Sequence, residues 1–110
     1  MREPDYGTIT PRDLKKRLDA GEAPVLLDVR EPWEYEAARI KGSKLLPMNE
    51  MPERVSELDP AAETVVICHH GSRSAYVTQA LEHAGFGNVL NLEGGLDAYS
   101  DVDPLVPRYG

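Results

Sequence analysis

A single cysteine is all the thiol chemistry this chain has, so no internal disulfide can form and any reactive sulfur must be Cys68. Basic residues are also short: 12 Lys and Arg stand against 19 Asp and Glu, for a net charge of −7. That deficit argues against nucleic acid and against an anionic membrane surface as partners, because both are held by a basic face. No apolar run approaches the length of a bilayer span. The opening segment MREPDYGTIT lacks the apolar core of a secretory signal, so the cytoplasm is the expected compartment. Repeats, low-complexity tracts and linkers are missing too, and 110 residues suit one domain over residues 1–110 with one hydrophobic core.

What is present alternates. TITPRDLKKRLDAG predicts a helix capped by Thr10, with Pro11 at its first position, Leu14 and Leu18 on one face, and Gly21 at its end. APVLLDV is apolar without alternation, as in a strand buried on both faces. EPWEYEAARI predicts a short helix opening at Pro32, GSKLLP a strand, and MNEMPERVSEL a helix ended near Asp59-Pro60. TVVIC is a second buried strand. SRSAYVTQALEHAG then places Val77, Ala80, Leu81 and Ala84 at helical spacing before Gly85. NVLNLEGG predicts a last strand turning on a glycine pair, LDAYS a short helix, and DVDPLVPRYG an irregular tail. Strands separated by helices need crossover connections, so the expected class is α/β: a mostly parallel sheet with helices on both faces.

Cys68 falls where the apolar run TVVIC meets the polar loop His69-His70-Gly71-Ser72-Arg73. Ligands of open parallel sheets collect at the carboxyl ends of strands. A helix starting near Ser72 points its positive end at that place, and consecutive loop amides form a nest suited to a negative charge such as a thiolate. Gly71 lets the loop curl, and Arg73 offers a forked cation for an oxyanion. A lone cysteine ending a strand is also a common small core residue, and this reading competes with the reactive one. No metal is expected, because His69 and His70 have no further Cys or His near in sequence and zinc wants four ligands or three plus water. His83 is expected at the surface, and Trp33 and Tyr35 as packing residues. Asp28 and Arg30, at the end of PVLL, either mark a strand reaching solvent or brace the cysteine loop on the same sheet edge.

The segments LLDVREPWEYEAARIKGSKLLP, VVICHHGSRS and VLNLEGGLDAYSDVDPLVPRY together resemble the single-domain rhodaneses, which are thiosulfate sulfurtransferases. The resemblance implies the rhodanese-like three-layer fold and a catalytic role for Cys68, which would carry a sulfane sulfur as a persulfide. It also implies a substrate loop of His69 to Arg73, with Asp28 and Arg30 in support. Implied partners are a small anionic sulfur donor and an external acceptor, whether a thiol, cyanide or a partner protein; no cofactor is implied. The chain differs from many relatives at Arg39 and Tyr99. Two alternatives stay open. One is a phosphatase or arsenate-handling enzyme, although the resembling phosphatases place five residues between cysteine and arginine where this chain has four. The other is a non-catalytic module that keeps the fold.

Overall fold

The computed structural model describes residues 6–109. Its elements are β1 (Thr8–Ile9), α1 (Pro11–Asp19), β2 (Val25–Asp28), α2 (Pro32–Ala37), β3 (Lys44–Leu45), α3 (Met51–Arg54), β4 (Thr64–Ile67), α4 (Ser72–His83), β5 (Val89–Leu92) and α5 (Gly95–Tyr99). The five strands form one sheet in the order β1-β5-β4-β2-β3, and every pairing is parallel.

Burial on both faces explains why the central strands read as apolar runs. Along β2, Leu26 faces one cluster and Leu27 the other; along β4, Val65 and Ile67 face the first while Val66 and Cys68 face the second. The first cluster takes in Leu14 of α1 and Leu96 and Tyr99 of α5, and the second takes in Met51 of α3 and Val77 and Leu81 of α4. Helices therefore cover both faces, which makes the three layers that the alternating sequence predicts.

Local chemistry sets the boundaries. The Thr10 hydroxyl accepts the Asp13 amide at 3.1 Å at the start of α1, with Pro11 in the first turn, where its missing N–H costs nothing. The expected helix over MNEMPERVSEL is instead three short pieces, with 3₁₀ turns at Met48–Glu50 and Val55–Glu57 around α3. Pro52 accounts for the first break, since it has no N–H to continue a ladder from the turn before it. β1 carries no recognisable pattern because it is only two residues long, pairing Thr8 with Asn91 and Ile9 with Leu92.

α4 turns a different face inward from the one its apolar residues suggest. Ser74, Val77, Thr78 and Leu81 are buried, whereas Ala80 and Ala84 are exposed. Two hydroxyls on the buried face find partners: the Thr78 hydroxyl donates to the Ser74 carbonyl at 2.7 Å, and Ser74 reaches the cysteine. Past Tyr99 there is no further strand or helix among the described residues, yet the tail is anchored, with Val106 in the core. Nor is any helix among them long and apolar enough to cross a membrane.

Candidate active site

Cys68 follows the last residue of β4 and is 1% exposed. Its Sγ accepts the Gly71 amide at 3.0 Å, and the Ser74 hydroxyl stands within donating range at 3.2 Å. A plain core thiol needs neither donor. The loop backbone is clamped from the other side: the Leu96 amide donates to the Cys68 carbonyl at 2.8 Å, and the Asp97 amide to the His69 carbonyl at 3.0 Å. With those carbonyls held by α5, the Gly71 amide faces the sulfur. Gly71, at φ +101°, caps α4 with no side-chain acceptor at its first amides.

Two residues behind the thiol escaped the sequence reading. The Ser74 hydroxyl also bonds Asn91 Oδ1, and Asn91 Nδ2 donates to the Gly71 carbonyl at 3.3 Å. Ser74 is fully buried and Asn91 4% exposed. One hydroxyl proton serves either the sulfur or the Asn91 oxygen. Ser74 could have been found from its place directly after Arg73, one helical turn beyond the loop glycine. Asn91, an interior polar residue in an apolar strand, is the other signal.

Asp28 and Arg30 do not mark a strand reaching solvent. Both are 0% exposed, and the Arg30 guanidinium clasps the Asp28 carboxylate through Nε at 2.8 Å and Nη2 at 2.7 Å. The remaining N–H groups of Arg30 donate to the Glu34 carbonyl at 3.2 Å and the Ala38 carbonyl at 2.6 Å, tying the end of β2 to both ends of α2. Neither Asp28 nor Arg30 has a side-chain bond to the loop among the described residues; Arg30 meets the Glu34 carbonyl and the Tyr109 ring instead.

Arg73 differs most from the sequence expectation. Its fork is closed on Glu34, with Nη1 to Oε1 at 2.7 Å and Nη2 to Oε2 at 2.8 Å. Glu34 is 4% exposed and also accepts the Glu31 amide at 2.9 Å and the Tyr109 hydroxyl at 2.8 Å. The Tyr109 ring lies 5.2 Å from the Arg30 guanidinium and 4.4 Å from the His69 ring. Trp33, expected as a packing residue, is 65% exposed and meets Tyr109 edge-on at 6.1 Å. The irregular tail thus delivers an aromatic side chain to the loop.

The Arg73 bonds above all hold the Glu34 carboxyl down to about 2, against the opposing pull of burial. A carboxyl depressed on folding adds stability that is complete above pH 4.5 and is lost as the pH falls through about 2. Arg73→Ala should therefore cost fold stability, about 1–3 kcal/mol after allowing for the arginine's partial exposure, by leaving Glu34 buried and unpaired. Urea unfolding at pH 7 and pH 3 checks this: the wild type should lose stability between the two, and Glu34→Gln should flatten the difference. An Arg73→Ala variant as stable as wild type at pH 7 would show that the pair contributes nothing.

His69 and His70 pack ring to ring at 3.9 Å, the first half-buried and the second exposed. Burial, then the neighbouring His70, pushes His69 below the ordinary histidine range. Asp97, remote in sequence, comes beside both rings, and its Oδ1 accepts Arg108 at 2.7 Å. His83 is exposed at the end of α4, as expected.

A buried thiol that accepts a loop amide at the carboxyl end of a central parallel strand defines a cysteine-loop α/β domain. Residues 10–101 match the model of the rhodanese-like domain, and the chain belongs to that family. It is 43% identical over 89 residues to the chloroplastic rhodanese-like/PpiC domain-containing protein 12 of Arabidopsis thaliana, covering 76% of this chain and 30% of that protein. It thus spans under a third of that relative. A sulfurtransferase of Allochromatium vinosum is 36% identical over 92 residues, covering 84% of this chain and 86% of that protein. The crystal structure of a rhodanese-related protein from Thermoplasma volcanium superposes with a TM-score of 0.83 at 32% identity, covering 93% of this chain and 98% of that one. Family and fold agree with the resemblance read from the sequence, and the Allochromatium vinosum relative is named a sulfurtransferase.

Proposed function

We propose that this domain moves a sulfane sulfur from a small anionic donor such as thiosulfate to an external acceptor through a persulfide on Cys68. The observation that carries the reading is the Cys68 sulfur receiving the Gly71 N–H and the Ser74 O–H. The Cys68 thiolate attacks the outer sulfur of the donor; a new S–S bond forms, the donor's S–S bond breaks, and sulfite leaves with its electron pair. An acceptor such as cyanide, a thiol or a partner protein then attacks the outer sulfur of the persulfide, which returns the thiolate. With no second cysteine in the chain, nothing internal can resolve the persulfide, so turnover requires that acceptor.

Loop size favours sulfur over phosphorus. Only His69, His70, Gly71 and Ser72 separate Cys68 from Arg73, which draws the amides close to the sulfur, and the arginine fork is occupied by Glu34. Asp97 stands near the loop, where a phosphatase would want an acid, but one of its oxygens is taken by Arg108. Mass spectrometry after thiosulfate treatment should show one added sulfur atom on the peptide containing Cys68, and steady-state rates with cyanide should follow ping-pong kinetics. Hydrolysis of an aryl phosphate that depends on Cys68, with no sulfur gained, would replace this reading by the phosphatase one. Neither activity would leave the non-catalytic module.

A further inference from the structure

We propose that His69, His70 and Asp97 form a site for a divalent transition-metal ion of zinc type beside the cysteine loop. A ring nitrogen from each histidine and a carboxylate oxygen lie within 4.8 Å of one another. Two imidazoles and a carboxylate are the donor set that borderline divalent ions take, with water completing the shell. The sequence offers two adjacent histidines and no third ligand near them; the fold supplies one by laying the start of α5 against the loop.

The donor atoms are not spent on each other. His70 Nε2 stands 3.9 Å from Asp97 Oδ2, beyond hydrogen-bond range. His69 Nδ1 is buried and bonds nothing. Arg108 holds Asp97 through Oδ1 at 2.7 Å, which orients the carboxylate and leaves Oδ2 available. The frame beneath is firm, since the Asp97 amide is bonded to the His69 carbonyl at 3.0 Å. Around zinc, tetrahedral N and O donors sit about 3.3 Å apart, so the cluster must contract slightly. His70 can supply that movement, because its side chain is 67% exposed.

Zinc binding stands apart from sulfur transfer, so it is read in protein that cannot form a persulfide. Zinc chloride is titrated calorimetrically into the whole chain as wild type, Cys68→Ser, His83→Ala, His70→Ala and Asp97→Asn. One site per chain is expected in the first three, and affinity should fall by about tenfold or more in the last two, the scale seen when even a supporting group of a metal site is lost. Imidazole NMR signals of the unsubstituted protein give a second reading without relying on any variant: zinc should move His69 and His70 and leave His83 in place. Binding lost in Cys68→Ser but kept in His70→Ala would place the ion on the thiol and overturn the proposal. So would the absence of both heat and ring shifts.

Discussion

Cys68→Ser is expected to abolish sulfur transfer, by at least about a thousandfold, while the protein stays folded. The serine hydroxyl occupies nearly the same space and can accept the same bonds from the Gly71 amide and the Ser74 hydroxyl, but it is hardly ionised at neutral pH and is a poor nucleophile toward sulfur. The cost to stability should stay under about 1.5 kcal/mol, because the substituted group keeps polar partners within an otherwise apolar cluster. Thiosulfate:cyanide turnover and thermal unfolding of the two proteins check both halves. Transfer at near wild-type rate would sink the mechanism. A variant that fails to fold would instead make Cys68 a core residue first and a nucleophile second.

Gly95→Ala should be the most damaging small substitution outside the loop. Gly95 has φ +65°, and an added Cβ would collide with the His69 carbonyl and lie 2.6 Å from the Cys68 carbonyl oxygen. Those atoms are backbone and cannot swing away. The same stretch carries the amide bonds from Leu96 and Asp97 that set the loop's orientation. Crowding and left-handed strain together should cost about 2–4 kcal/mol, and the surviving folded protein should transfer sulfur poorly because the amides no longer converge on the thiol. Gly42→Ala is the control: its φ is +88° with nothing within 4 Å of an added Cβ, so it isolates backbone strain at about 1 kcal/mol. Denaturant midpoints and turnover of both variants decide the matter, and equal losses in the two would show that the contact with the loop does not matter.

Much of the fold was legible because its signals are local. Buried parallel strands announce themselves as unbroken apolar runs, and Thr10-Pro11 and Gly85 punctuate helices through backbone preferences that need no distant partner. Where the reading slipped, a local rule met a longer-range one. Pro52 opened a new helical piece in what looked like one helix, and α4 buried Ser74 and Thr78, each with a hydrogen-bond partner, while Ala80 and Ala84 stayed exposed. The two residues of β1 gained strand character only by pairing with β5.

By itself, the sequence determined the α/β class, the parallel sheet, and the place of Cys68 at the end of a central strand before a glycine-bearing loop, since each follows from contiguous residues. Only the tertiary structure decided what surrounds the thiol. Glu34 reaches Arg73 across 39 residues and Tyr109 across 75, and Asp97 joins His69 and His70 from another helix. Those meetings have no local periodicity to betray them. They arise because a parallel sheet gathers the carboxyl ends of distant strands on one edge, where buried charges and polar atoms must find partners or pay for desolvation.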